Sequence, residues 1–161
     1  MGRKRFDAMN CGIAQALEVI GDWWTLLIIR DAFFGARRFG DFERSLGIAK
    51  NILTQRLVHL VEHGVFERRD VGTDGEHYEY RLTAKGEALL PILAALRQWS
   101  DEWVFGAGNE PMIVKDRRTG RRVKKLQLTR SDGRPARWQD LTIEPGPGAT
   151  PATIARLSRM D

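Results

Sequence analysis

The stretch from Phe39 to Leu82 constrains the fold more than any other part of the chain. Phe39, Phe42 and Leu46 recur three and four residues apart and stop at Gly47, which predicts a short helix over about Phe39 to Leu46. A second helix follows from about Ala49 to His63. Leu53, Leu57, Leu60 and Val61 share one of its faces, while Asn51, Gln55, His59 and Glu62 project from the opposite one and Gly64 ends the run. Two β-prone runs, Val65 to Val71 and His77 to Leu82, then flank the turn-forming Gly72-Thr73-Asp74-Gly75 and read as a hairpin. Two tightly linked helices followed by a hairpin leave little choice of architecture.

The flanking segments fit the same plan. Ile13, Ala16, Leu17 and Ile20 recur at helical spacing before Gly21. Asp22 stands in an N-cap position ahead of Trp23, Trp24, Leu26, Leu27, Ile28 and Phe33, a helix apolar nearly all round and therefore central to the core. After the hairpin, Thr83 can cap a long fifth helix reaching about Val104, with Leu89, Leu90, Leu93, Leu96, Trp99 and Trp103 along one side and Pro91 bending or locally loosening it. One domain over residues 1–105 is expected. A small basic β appendage follows over 106–144, with β-prone runs at Met112 to Val114, Val123 to Thr129 and Leu141 to Ile143, and then a loose Pro- and Gly-rich arm over 145–161.

Composition narrows the function classes. Lys and Arg number 26 against 21 Asp and Glu, a formal net charge of +5, which suits a polyanionic partner. The apolar stretch Trp23 to Ile29 falls far short of the roughly 20 residues of a membrane span. A lone cysteine, Cys11, forms no intrachain disulfide, so the cytoplasm is the expected compartment. No G-x-S-x-G elbow, P-loop or G-x-G-x-x-G is present, and neither catalysis nor a cofactor is expected. His59-Leu60-Val61-Glu62-His63 fits the H-x-x-E-H pattern of some zinc peptidases, but Gly64 ends the helix beside it and no third ligand is identifiable, so no metal site is expected.

Helix, helix, helix, turn, helix, hairpin, long helix is the order of a winged helix-turn-helix, a mainly α fold with a β-hairpin wing, whose fourth helix would enter the major groove of double-stranded DNA. Lys50, Asn51, Thr54, Gln55 and Arg56 crowd the first turns of that helix, and Asn, Gln and Arg make bidentate contacts with base edges. Arg37 and Arg38 before the third helix, with Arg68, Arg69 and His77 on the hairpin, are candidate phosphate contacts. The competing reading is a solvated polar surface on a protein-interaction module that keeps the fold without specific DNA binding.

Several ordered motifs carry a resemblance. Cys11, Ala16 through Ile28 (Ala-Leu-Glu-Val-Ile-Gly-Asp-Trp-Trp-Thr-Leu-Leu-Ile), Arg37-Arg38-Phe39-Gly40-Asp41-Phe42, Leu53-Thr54-Gln55-Arg56-Leu57 and Tyr80-Arg81-Leu82-Thr83-Ala84-Lys85-Gly86 resemble the HxlR family of bacterial regulators over about residues 10 to 105. The resemblance implies a homodimeric winged-helix regulator, related in fold to the MarR type, dimerising through the first and fifth helices. It also implies that Cys11, just before the first helix, is a candidate sensor of oxidants or electrophiles. A thiol near a helix N-terminus can have a lowered pKa, whereas a thiol buried in apolar surroundings is inert. The chain departs from the family pattern at Ala49, where a capping Ser or Thr is frequent, and at Gly21-Asp22, where a glycine-lysine pair is usual.

The expected activity is that of a repressor on a pseudo-palindromic operator. Trp23, Trp24, Trp99, Trp103 and Phe105 either hold a small apolar effector between the dimer helices or are plain core. Residues 115–137 carry ten basic and two acidic side chains, net +8, and either extend the phosphate contacts or form a solvated basic hairpin.

Overall fold

The computed structural model of the protein describes residues 6–72 and 78–159. His77 and most of the turn between the two β runs lie outside the described residues. Two compact units are present, one comprising residues 1–89 with 145–161, the other residues 90–144.

The first unit runs α1 (Gly12–Ile20), α2 (Trp23–Phe33), α3 (Phe39–Leu46), α4 (Lys50–Glu62), β1 (Phe66–Asp70), β2 (Tyr78–Leu82) and α5 (Ala84–Glu87). The caps expected from the sequence form. Asp22 accepts from the Thr25 amide at 3.2 Å to start α2, Gly47 closes α3 with φ of 60°, and Thr83 accepts from the Gly86 amide at 3.2 Å to start α5. β1 and β2 pair antiparallel from Phe66 opposite Leu82 to Asp70 opposite Tyr78, forming the wing. Ile28 and Ile29 of α2, Phe42 of α3, Leu53, Leu57 and Leu60 of α4 and Phe66 of β1 are fully buried together. Each such side chain contributes about 1.5–3 kcal/mol by leaving water. The apolar face of α4 is thereby pinned inward, which fixes the polar face outward.

The fifth helix differs from its predicted form. Instead of one helix bent or loosened at Pro91, α5 stops after a single turn, Ala88 and Leu89 form a turn, and α6 starts anew at Leu90–Ser100, followed by a π-helical turn at Asp101–Phe105. Pro91 explains the break, since its ring would clash with the Glu87 carbonyl and it has no N–H to continue the ladder; in the first turn of a new helix neither matters.

In the second unit the runs expected to be strands after Phe105 form none. Residues 115–122 and 129–135 make two tight arches, each with a single antiparallel bridge (Lys115 with Arg122, Thr129 with Pro135), and Trp138–Asp140 is a short 3-10 turn. Gly120, Gly133 and Pro135 fall in the arches between the expected runs, where they limit each pairing to a single bridge. The segment after Pro145, whose composition suggests a loose arm, carries α7 (Pro151–Leu157) and groups with the first unit. Thr150 caps α7, and Asn10 fastens it: the Thr150 amide and the Thr153 hydroxyl donate to the Asn10 side-chain oxygen at 3.2 and 2.7 Å. No single helix among the described residues is long and apolar enough to cross a membrane.

Candidate nucleic-acid interface

The outward face of α4 holds four of the five residues expected there. Lys50, Asn51, Thr54 and Gln55 are exposed. The Asn51 and Gln55 side chains make no hydrogen bond among the described residues, so their amide edges are available to a partner. Thr54 donates its hydroxyl to the Lys50 carbonyl at 2.8 Å, and the Lys50 ammonium lies 3.8 Å from Glu43 of α3. Arg56 departs from expectation. Its guanidinium turns back onto Asp22 at 2.9 Å and the two side chains are only 24% and 20% exposed, so it ties α4 to the start of α2. The acidic residue that replaces the usual lysine after Gly21 is thus the partner of an arginine in the second turn of α4.

Arg37 is likewise committed. Its Nη1 donates to the Ala32 and Ala36 carbonyls at 2.6 and 2.9 Å, joining the Gly35 amide on the Ala32 carbonyl in the last turn of α2. Asp41 gathers the amides of Arg37 and Arg38 at 3.2 and 2.9 Å, and these amides, Arg38's first, hold its carboxyl below the usual range with help from Arg44. Arg38 itself is exposed, with no carboxylate partner among the described residues. On the wing, Arg68 stacks 4.2 Å above the Tyr78 ring and Arg69 pairs with Glu67 at 2.6 Å, both arginines being exposed.

Sequence reasoning passed over Val58, 48% exposed on the same face as Asn51, Thr54 and Gln55, although the helical period places it there. His59, expected on that face, instead donates its Nε2–H to the Val19 carbonyl at 3.0 Å, and His63 donates Nδ1–H to the His59 carbonyl at 2.9 Å. The histidine pair therefore serves as helix-packing and helix-ending groups. Among the described residues no three His, Cys, Asp or Glu side chains gather around one point.

Cys11 sits at the N-cap of α1, half-buried. The amides of Ala14 and Ile13 hold its thiol below the ordinary value; burial opposes them, and Arg156 of α7 adds a lesser lowering. Nothing in the local sequence signals Arg156, which is distant along the chain. Of the five aromatics, Trp23 and Trp24 begin α2 in the first unit, and Trp99, Trp103 and Phe105 lie in the second; all but Trp24 are exposed. A cleft of about 230 Å3 in the second unit is lined by none of them, but by residues such as Arg97, Asp101, Met112, Val114 and Lys125.

Residues 19–106 match the model of the HxlR-like helix-turn-helix family. The chain belongs to the HxlR family. It is 40% identical over 144 residues to the uncharacterised HTH-type transcriptional regulator Rv3095 of Mycobacterium tuberculosis, covering 89% of this chain and 90% of that one. Among solved structures it is similar to PA1607, a candidate transcription factor, with 44% identity, a TM-score of 0.80 and coverage of 88% of this chain and 99% of that one. The redox regulator HypR in its reduced form matches with 28% identity and a TM-score of 0.53 over 56% of this chain and 90% of that one. As an HxlR protein the chain is a DNA-binding transcriptional regulator of the winged helix-turn-helix type.

Proposed function

We propose that the protein is a cytoplasmic homodimeric repressor, not an enzyme, that holds a pseudo-palindromic operator through two copies of α4. Lys50, Asn51, Thr54 and Gln55 face the bases, with Asn51 and Gln55 supplying the bidentate contacts. Arg38 before α3, Arg68 and Arg69 on the wing, and His77 in the sequence just ahead of β2 bind flanking phosphates, fixing register more than sequence. Arg37 and Arg56 are left out of this set because their guanidinium groups are engaged inside the domain. The observation that carries the reading is the exposed and uncommitted pair Asn51 and Gln55 on an otherwise anchored helix. Exposed apolar side chains on α1 (Ile13, 74%) and α6 (Leu90, Leu96, Trp99) support a second copy of the chain as the cover of those helices.

Cys11 is the entry point for a signal in this reading. HypR is described as a redox regulator, and the amides and Arg156 around Cys11 favour the thiolate, the reactive form.

Selection of bound duplexes from a random pool tests the main reading. Wild type should enrich a two-fold symmetric site, and Asn51→Ala with Gln55→Ala should lose about 10-fold or more in preference for it, at an unchanged melting temperature. Enrichment of the same site by the variant, or only sequence-blind, salt-labile binding by wild type, would overturn it, the latter in favour of an interaction module.

A further inference from the structure

The excess of positive charge in this protein is not on its winged helix domain. Residues 1–105 hold 14 Lys and Arg against 15 Asp and Glu, a net −1, although the whole chain is +5. Residues 115–137 hold ten against two, a net +8. Ion pairing neutralises part of the charge in both units. In the first unit Arg30, Arg44, Lys50, Arg56, Arg69 and Arg81 each pair with a carboxylate. In the second unit Lys115, Arg117, Arg118, Arg121 and Lys124 are all exposed and have no carboxylate partner among the described residues.

Those five cations surround one rigid turn. Asp116 accepts from the Thr119 amide at 2.6 Å, the Gly120 amide donates to the Asp116 carbonyl at 2.8 Å, and the Asp116 amide donates to the Arg121 carbonyl at 2.8 Å. Gly120 supplies the left-handed residue, with φ of 67°. The single carboxylate in the turn is occupied by backbone amides, which hold it in its ionised form and leave the arginines unneutralised. Arg122, in the same segment, pairs with Glu110 at 3.9 Å and is outside this set.

We infer that the turn at residues 115–124 is a second DNA-binding surface that holds backbone phosphates beyond those reached by α4 and the wing, supplying most of the sequence-independent affinity of the protein. This rests on the DNA-binding reading above. The winged helix domain carries no excess of positive charge, whereas long arginine and lysine side chains on a turn release counterions without reading sequence. An acidic protein partner is the competing occupant; a groove-following polyanion suits five exposed like charges, with Val123 the one large apolar side chain between residues 115 and 124, better.

The test is the salt dependence of binding to a selected operator duplex and to a scrambled one. Replacing Arg117, Arg118, Arg121 and Lys124 together by Gln should make the slope of log K against log salt shallower by about 0.9 for each phosphate no longer neutralised, about 3 to 4 for the set in each chain, on both duplexes alike. The ratio of affinities for the two duplexes should stay unchanged. Replacing Arg117, Arg118 and Arg121 by Lys should retain the slope, so a loss caused by misfolding is separated from one caused by charge. An unchanged slope in the Gln variant, with wild type still selecting its operator, overturns this inference alone and points to an acidic protein; wild type that selects no operator overturns the proposed function first.

Discussion

Replacing Arg56 by Ala separates a structural arginine from a base-reading one. The guanidinium lies 2.9 Å from Asp22, and neither side chain is more than a quarter exposed. An exposed pair contributes about 0–1 kcal/mol and loss of one partner from a buried pair costs about 3–5 kcal/mol. Asp22 keeps its bond from the Thr25 amide and retains some access to water, so the cost belongs toward the low end, at about 1–2 kcal/mol. For a chain of this size each kcal/mol lowers the melting temperature by about 2–4 °C, so a drop of roughly 2–8 °C is expected. Thermal melts at one fixed chain concentration should be run on wild type, Arg56→Ala, Asp22→Ala and the double variant. Asp22→Ala should cost about 1 kcal/mol more than Arg56→Ala because it also removes the α2 cap, and the cycle should return a coupling of about 1 kcal/mol. Duplex selection with Arg56→Ala should return the wild-type site. An unchanged melting temperature together with an abolished preference at one base pair would refute the assignment and restore Arg56 to the reading set.

Two further outcomes follow from close packing and from the thiol's surroundings. A Cβ on Gly86 would lie 2.3 Å from the Val65 carbonyl oxygen and 2.8 Å from the Leu82 side chain, so Gly86→Ala should lower stability by about 1–3 kcal/mol, measured by denaturant unfolding; a neutral result would mean the wing and α5 are not held so tightly. The Cys11 thiol should react with iodoacetamide through a pH midpoint below that of a free cysteine, because a lowered pKa leaves it ionised further into the acid side. Arg156→Ala should move that midpoint up only in part, since the Ala14 and Ile13 amides are the larger causes, and a midpoint at or above the free value would remove the case for sensing.

Most of the helices and the wing are legible in the sequence because each obeys a local rule. Leu53, Leu57 and Leu60 recur with the helical period, Gly47 and Gly64 end their helices in the left-handed conformation, and Asp22 and Thr83 cap where a short polar side chain precedes an apolar run. The exposed face of α4 follows from the same period, Val58 included. The departures share one cause, which is that a side chain's partner can lie far away in sequence. Arg56 meets Asp22, His59 meets Val19 and Cys11 meets Arg156, and no pattern within a window of a few residues encodes those meetings. Pro91 signals a disturbance by itself, but whether a proline bends a helix or divides it depends on what packs on either side. The segment after Pro145 reads as loose because its anchor, Asn10, is 140 residues from Thr150.

The short loop before α3 joins three elements through Arg37. This residue closes the end of α2 with its side chain, gives its amide to Asp41 of α3, and takes the Tyr80 amide of β2 onto its carbonyl at 2.7 Å. A hairpin wing fastened there cannot swivel independently of the helices that carry the reading face. Whatever strain DNA imposes at the wing is therefore felt in the major groove, so a spacing change between the two contacted stretches of a half-site should be penalised as a whole rather than absorbed by a flexing wing.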